Sequence, residues 1–219
     1  SGPVAPRKVR ILFAALVFGG GIPFAVFLVT KLLDTSIKTR SDLDNLSVPF
    51  LAEIPQDNTI SKRSRFRRTI SVDKSSSRII VEPGRRDMMN EAFRVFRTNI
   101  DLMLGKRASS QVIMFTSFNP DAGKTFTIMN IAASMALKDS KVLMIDLDLR
   151  KASLTKCLHI EHSGVAAYLN GKTDDYHSYV EQIEPNLFLL PVGTLPPNPT
   201  ELLLSDRFTE MIEKMKQEY

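Results

Sequence analysis

One stretch constrains this chain more than any other. An apolar run of strand length, Gln111 to Ser117, leads through Phe118-Asn119-Pro120-Asp121-Ala122 into Gly123-Lys124-Thr125, which opens a helical pattern from Gly123 to Leu137. A loop between a buried strand and a helix start is the context that a phosphate-binding loop requires. The first N–H groups of a helix point outward, and the helix dipole favours an anion there. Gly123 lets the backbone approach phosphate oxygens, Lys124 sets a point charge on the β- and γ-phosphates, and the Thr125 hydroxyl reaches Mg²⁺. The common pattern places a glycine six residues before the lysine, where this chain has Phe118. The nucleotide contacts are therefore expected along Ser117, Phe118, Asn119, Pro120, Asp121, Ala122, Gly123, Lys124, Thr125 and Phe126.

A second motif follows, Val142-Leu143-Met144-Ile145-Asp146-Leu147-Asp148-Leu149-Arg150. Residues two apart lie on one face of a strand, so Asp146 and Asp148 are expected to emerge together at its carboxyl end. Ligands of open α/β sheets bind at that end. One carboxylate could hold Mg²⁺ and the other could accept a proton from an attacking hydroxyl. Taken alone, the pair reads as a strand-to-loop boundary with two solvated aspartates. Beside a phosphate loop the functional reading is preferred.

Around these motifs the spacing predicts a helix over Met88–Leu104, strands over Lys141–Asp148 and Asn186–Val192, and a final amphipathic helix over Thr200–Glu218. Strand alternating with helix gives the expected fold class: α/β, a P-loop NTPase-like, mostly parallel sheet with flanking helices. Hydrophobic residues at 43% and charged residues at 24% exclude collagen-like, mucin-like and wholly disordered chains. The single cysteine, Cys157, excludes an intramolecular disulfide and a multi-cysteine zinc site. His159 and His162 stand near it without the partner set a metal needs, and a surface loop is expected. The net charge of +5 is mild, permitting phosphate or anionic-lipid partners without requiring them.

Ile11 to Thr30 carries no charged side chain, and such a run reaches about 30 Å as a helix, the thickness of a bilayer's hydrocarbon. A transmembrane helix over 11–33 is expected; a signal core is shorter and ends in a small-residue cleavage site, and a buried core helix is the other alternative. Arg7, Lys8 and Arg10 before the run balance Lys31, Lys38 and Arg40 after it, so charge does not orient it. Residues 34–86 form a juxtamembrane segment and linker, with Lys62, Arg63, Arg65, Arg67 and Arg68 in its middle. That cluster reads as a solvated linker or as a polybasic contact with anionic lipid.

The loop SFNPDAGKTF followed by VLMIDLDLRK resembles the bacterial tyrosine kinases of polysaccharide export, the BY-kinases. Their phosphate loop tolerates a small residue in place of the early glycine, and it carries a proline three residues before the last glycine and GK[ST] at its end. Ser117, Pro120, Gly123, Lys124 and Thr125 fit. Their second motif is four apolar residues and then D-x-D-x-R, which Val142 to Arg150 fits throughout. Glu91, Arg94 and Arg97 resemble the family's E-x-x-R-x-x-R helix, and Gly193 to Leu203 resembles its G-x-x-P-P-N-P-x-E-L-L segment. The resemblance implies an autophosphorylating protein-tyrosine kinase that uses ATP and Mg²⁺ and regulates capsular or exopolysaccharide chain length and export. It implies Lys124 and Asp146 as catalytic, Thr125, Asp146 and Asp148 as metal residues, and Glu91, Arg94 and Arg97 at the interface of a ring-like homo-oligomer. It also implies an inner-membrane location with residues 1–10 outside and the ATP site in the cytoplasm. Membrane lipid, the export machinery and a tyrosine phosphatase are the implied partners, with no nucleic acid.

Family members carry a third motif, an apolar strand ending in aspartate, and a terminal tyrosine cluster. Neither is found here, so 87–219 is expected to be a kinase domain truncated before that motif, and Tyr168, Tyr176, Tyr179 and Tyr219 cannot be assigned as phosphorylation sites. Two other readings compete. A MinD/ParA-like ATPase would carry a lysine five residues before Lys124, where Asn119 stands. A non-catalytic co-polymerase scaffold would tolerate loss of Lys124 or the aspartate pair, and both are intact.

Overall fold

The computed structural model describes residues 8–34, 48–55, 79–105, 110–119 and 122–219. The cluster from Lys62 to Arg68, the loop residues Pro120 and Asp121, and Arg7, Lys38 and Arg40 lie outside the described residues. The chain divides into two compact units, Ser1–Phe50 and Leu51–Tyr219.

The first unit holds helix α1, Lys8–Leu32, whose 25 residues reach about 37 Å at about 1.5 Å each. That exceeds a hydrocarbon core of about 30 Å, an excess that a tilt would absorb. Its apolar side chains are exposed all round, from Val9 to Leu32. Such a surface is unfavourable in water and matched to lipid, compatible with a membrane anchor. Pro23 lies inside the helix, and the Thr30 hydroxyl donates to the Phe27 carbonyl at 2.9 Å, so its polar group is satisfied within the helix.

In the second unit a three-stranded sheet of order β1-β3-β2 is formed by β1 Val142–Ile145, β2 Glu181–Glu184 and β3 Leu187–Leu190. β1 and β3 pair in parallel, Val142 opposite Leu187 and Ile145 opposite Leu190. β2 pairs antiparallel to β3. The sheet is therefore mixed rather than mostly parallel. β2 and β3 are joined by the two-residue turn Pro185-Asn186, with Asn186 at φ 62°, and a connection that short admits only antiparallel pairing.

Two layers of helix cover the sheet, and strand alternation feeds both. Leu187 and Leu189 of β3 and Met144 of β1 enter one core with Phe93, Phe96 and Ile100 of α2 (Met88–Leu104) and Met129, Ile131 and Ala133 of α3 (Lys124–Ala136). Leu190 and Val192 enter the other with Val165 and Tyr168 of α5 (Val165–Leu169), Leu202 of α6 (Pro199–Leu203) and Met211 and Met215 of α7 (Asp206–Met215). α4 is the short turn Ser153–Cys157. Segments well upstream of α2 belong to the first core: Leu51, Ala52 and Ile54 pack on it, as do Ile79 and Ile80. The buried Asn130 accepts from the Ile80 and Val81 N–H groups, and Asn90 accepts from Glu82 N–H, so two side-chain amides stand in for a neighbouring strand.

Two expected elements differ. Gln111–Ser117 is not a strand: a strand exists through its ladder, and the sheet of the described residues does not include this segment. Val112 and Met114 are exposed. The final helix is two, because the Ser205 hydroxyl accepts from Phe208 N–H and starts α7 afresh, after α6 has ended at Leu203.

Candidate functional site

The expected phosphate loop leads into α3. The first helical bond runs from Thr127 N–H to the Gly123 carbonyl, so the N–H groups of Lys124, Thr125 and Phe126 precede the ladder and face outward. Gly123 adopts φ 82°, a left-handed conformation that glycine takes without strain. Among the described residues, a Cβ built there would meet no atom within 4 Å. Lys124 and Thr125 are half-buried, while Ser117, Phe118, Asn119 and Ala122 are exposed. Phe118 is 100% exposed, and its ring is a free apolar surface at the rim. The Ser117 hydroxyl donates to the Asn119 carbonyl at 3.0 Å and closes the loop's near end. Phe126 turns inward, its ring edge-on to Phe93 with centroids 5.9 Å apart, so it anchors α3 to α2.

α3 packs on β1 and reaches it through the turn at 137–141. The two run in opposite directions, so the start of α3 and the end of β1 fall at the same end of the layer. There stand Asp146 and Asp148. β1 ends at Ile145, although Asp146 N–H still donates to the Leu190 carbonyl at 3.1 Å. The pair therefore sits in the turn after the strand, and its arrangement is set by turn bonds rather than by alternation. Asp146 is 4% exposed. Its Oδ2 accepts from Thr155 N–H at 2.8 Å and the Thr155 hydroxyl at 2.7 Å, and its Oδ1 accepts from Asp148 N–H at 3.1 Å. Asp148 is half-buried; its Oδ1 accepts from Lys151 N–H at 3.0 Å and its Oδ2 from the Ser153 hydroxyl at 3.3 Å. A carboxylate offers about four acceptor positions. Asp146 has filled three and Asp148 two, so Asp148 keeps more capacity for a cation.

Thr155 and Ser153 had no signal in the sequence. They act through a five-residue helix too short for periodicity, entered through Ala152 in the left-handed region at φ 51°. Beside it, the start of α5 docks on the end of β3: Val165 and Ala166 N–H groups donate to the Pro191 and Val192 carbonyls at 2.8 and 3.1 Å. A Cβ on Gly164 would stand 1.9 Å from the Pro191 carbonyl oxygen, so only glycine permits this approach.

Glu91, Arg94 and Arg97 lie on α2 but do not act as one group. Arg94 pairs with Glu91 at 3.1 Å on the exposed face. Arg97 is half-buried and donates to the Ser134 carbonyl of α3 at 2.6 Å. Both arginines border a cavity of about 260 Å³ with Glu82, Gly84 and Asn90. Of the tyrosines, Tyr168 and Tyr176 are buried. His162 meets Glu181 at 2.6 Å, and the Ser163 carbonyl and then Glu181 raise its pKa. His177 lies between Glu218 at 2.7 Å and Asp175 at 2.8 Å, and those bonds, Glu218 first, raise its pKa. Among the described residues no three His, Cys, Asp or Glu side chains converge as a protein-only metal cage. A nucleotide-borne Mg²⁺ needs only a hydroxyl and one or two carboxylates, and Thr125 and Asp148 fit it.

No family model matches the chain. Along its whole length it is similar to bacterial tyrosine-protein kinases. It is 30% identical over 220 residues to the tyrosine-protein kinase Ptk of Acinetobacter johnsonii, covering 99% of this chain and 29% of that protein. With the tyrosine-protein kinase Etk of Escherichia coli K12 it shares 28% over 225 residues, covering 99% of this chain and 31% of Etk. The chain thus spans about three tenths of the length of the curated relatives it matches. The solved kinase domain of E. coli ETK superposes with a TM-score of 0.70 at 27% identity, over 84% of this chain and 70% of that one.

Proposed function

We propose that this chain is the membrane-anchored, ATP-binding part of a bacterial protein-tyrosine kinase that phosphorylates its own kind and regulates capsular or exopolysaccharide chain length and export. The observation that carries this reading is the Gly123-Lys124-Thr125 helix start at the same end of the layer as the Asp146–Asp148 turn, in a chain similar throughout to tyrosine-protein kinases. In it, the loop amides and Lys124 hold the phosphates and offset their charge. Thr125 and Asp148 would hold Mg²⁺, which would supply positive charge to offset that of the phosphates. Asp146 stands nearer the tyrosine hydroxyl and accepts its proton. α1 anchors the chain in the inner membrane, with the ATP site in the cytoplasm. Glu91 and Arg94 on the exposed face of α2 contact a second copy within a ring, and the polysaccharide export machinery, a tyrosine phosphatase and membrane lipid are the further partners.

The carboxylate roles are separable. Asp148→Asn raises the Mg²⁺ concentration needed for nucleotide binding. Asp146→Asn leaves binding largely intact and lowers phosphoryl transfer by about 10²–10⁴ for a lost general base. Equal loss of nucleotide binding in both variants contradicts the division, because both aspartates would then serve the metal.

A further inference from the structure

We propose that Thr155 is the positioning residue of the Asp146 carboxylate, tying it to the end of β3. The hydrogen bonds themselves fix the direction of the link. Val192 N–H donates to the Thr155 hydroxyl oxygen at 3.0 Å. A hydroxyl has one proton to give. The Asp146 Oδ2, 2.7 Å away, can only accept, so it receives that proton. Thr155 N–H adds a second donor to the same oxygen at 2.8 Å. Thr155 and Asp146 are each only 4% exposed, so water cannot replace a lost partner freely.

Three parts of the fold converge on this side chain. Asp146 follows the end of β1, α4 carries Thr155, and Val192 continues β3, where its carbonyl also receives the first turn of α5. The other oxygen of Asp146 holds Asp148 N–H, so an Asp146 carboxylate clamped on one side fixes the backbone of its neighbour on the other. Thr155 therefore sets where both carboxylates of the site stand, although it need touch neither nucleotide nor metal. A displacement of about 1 Å at such a group costs about 10²-fold in rate.

The role rests on the phosphoryl-transfer reading for its effect on rate, and a second readout is independent of that reading. In the full protein, Thr155→Ser keeps the hydroxyl, whereas Thr155→Val removes it at nearly constant volume. Thr155→Cys weakens the donor and covers the case in which the valine variant does not fold. The expected result is a kcat for tyrosine phosphorylation lowered about 10²-fold in the valine and cysteine variants, with KM for ATP little changed and Thr155→Ser near wild type. In hydrogen exchange, the Asp148 amide loses protection in the valine and cysteine variants and keeps it in the serine variant. A wild-type protein with no phosphotyrosine would overturn the kinase reading, and the Asp148 amide would still decide the role of Thr155. Unchanged Asp148 protection in the valine and cysteine variants, or equal loss in all three, overturns the proposal: the first denies the clamp and the second reduces Thr155 to packing.

Discussion

Replacing Arg97 by alanine separates two roles that the spacing of Glu91, Arg94 and Arg97 leaves merged. The last four carbonyls of α3, from Ala133 to Ala136, need donors from outside the helical ladder. The backbone supplies three: Leu137, Lys138 and Asp139 N–H groups reach Ala133, Met135 and Ala136. The fourth, Ser134, receives the Arg97 guanidinium at 2.6 Å. A charged donor on a helix carbonyl is worth about 1.5–3 kcal/mol, and a cation at a helix C-terminus adds a few tenths. Arg97 is only half-buried and borders an open cavity, so water recovers part of this, leaving about 1–2 kcal/mol. For a chain of this size that is a fall of about 2–8 °C in Tm. Thermal unfolding in detergent, followed by circular dichroism beside light scattering, reads both quantities. Arg97→Ala lowers Tm, while Arg94→Ala, which breaks only an exposed pair, leaves Tm within about 1 °C and weakens self-association. Unchanged Tm with lost self-association in Arg97→Ala would refute the capping role and return Arg97 to the subunit interface.

Two further outcomes are expected. His177 has a raised pKa, so its bonds to Glu218 and Asp175 stabilise the fold fully below the ordinary histidine value of 6.5 and progressively less as pH rises through the raised value. Tm measured from about pH 6 to about pH 8.5 should fall in the wild type and fall less in His177→Asn, and equal slopes would remove His177 as the cause. Gly164→Ala drives a Cβ into the backbone of Pro191 and Val192, which cannot rotate away, and a loss of about 3 kcal/mol or more is expected in urea unfolding; a neutral result would mean that α5 shifts without penalty.

The parts of the fold that rest on periodicity were legible in the sequence. α2 carries Phe93, Phe96 and Ile100 on one buried stripe and appears with the expected bounds, and α3 begins at the lysine that the loop pattern marks. Elements that rest on partners were not. The apolar run at 111–117 has strand composition, but pairing is a property of the neighbour, and composition does not contain it. β2, Glu181–Glu184, holds a single apolar residue, Ile183, among exposed charged and polar ones, so hydrophobicity gave no sign of it. At the site, Lys124, Asp146 and Asp148 could be named because their spacing is local. Thr155 could not, because its meaning arises only when Val192, 37 residues later, comes to lie against it. Arg97 shows the converse: its spacing was visible, but its partner, Ser134, was not.

The central claim is that the loop at Lys124 binds ATP for transfer to tyrosine. Its most direct test is the phosphotyrosine of the full protein in cells, compared between wild type and Lys124→Met. Methionine keeps the length and packing of the side chain and removes the charge on the β- and γ-phosphates. Phosphotyrosine in the wild type and its loss in the variant, at equal protein level, is the expected result; equal phosphotyrosine in both would contradict the account.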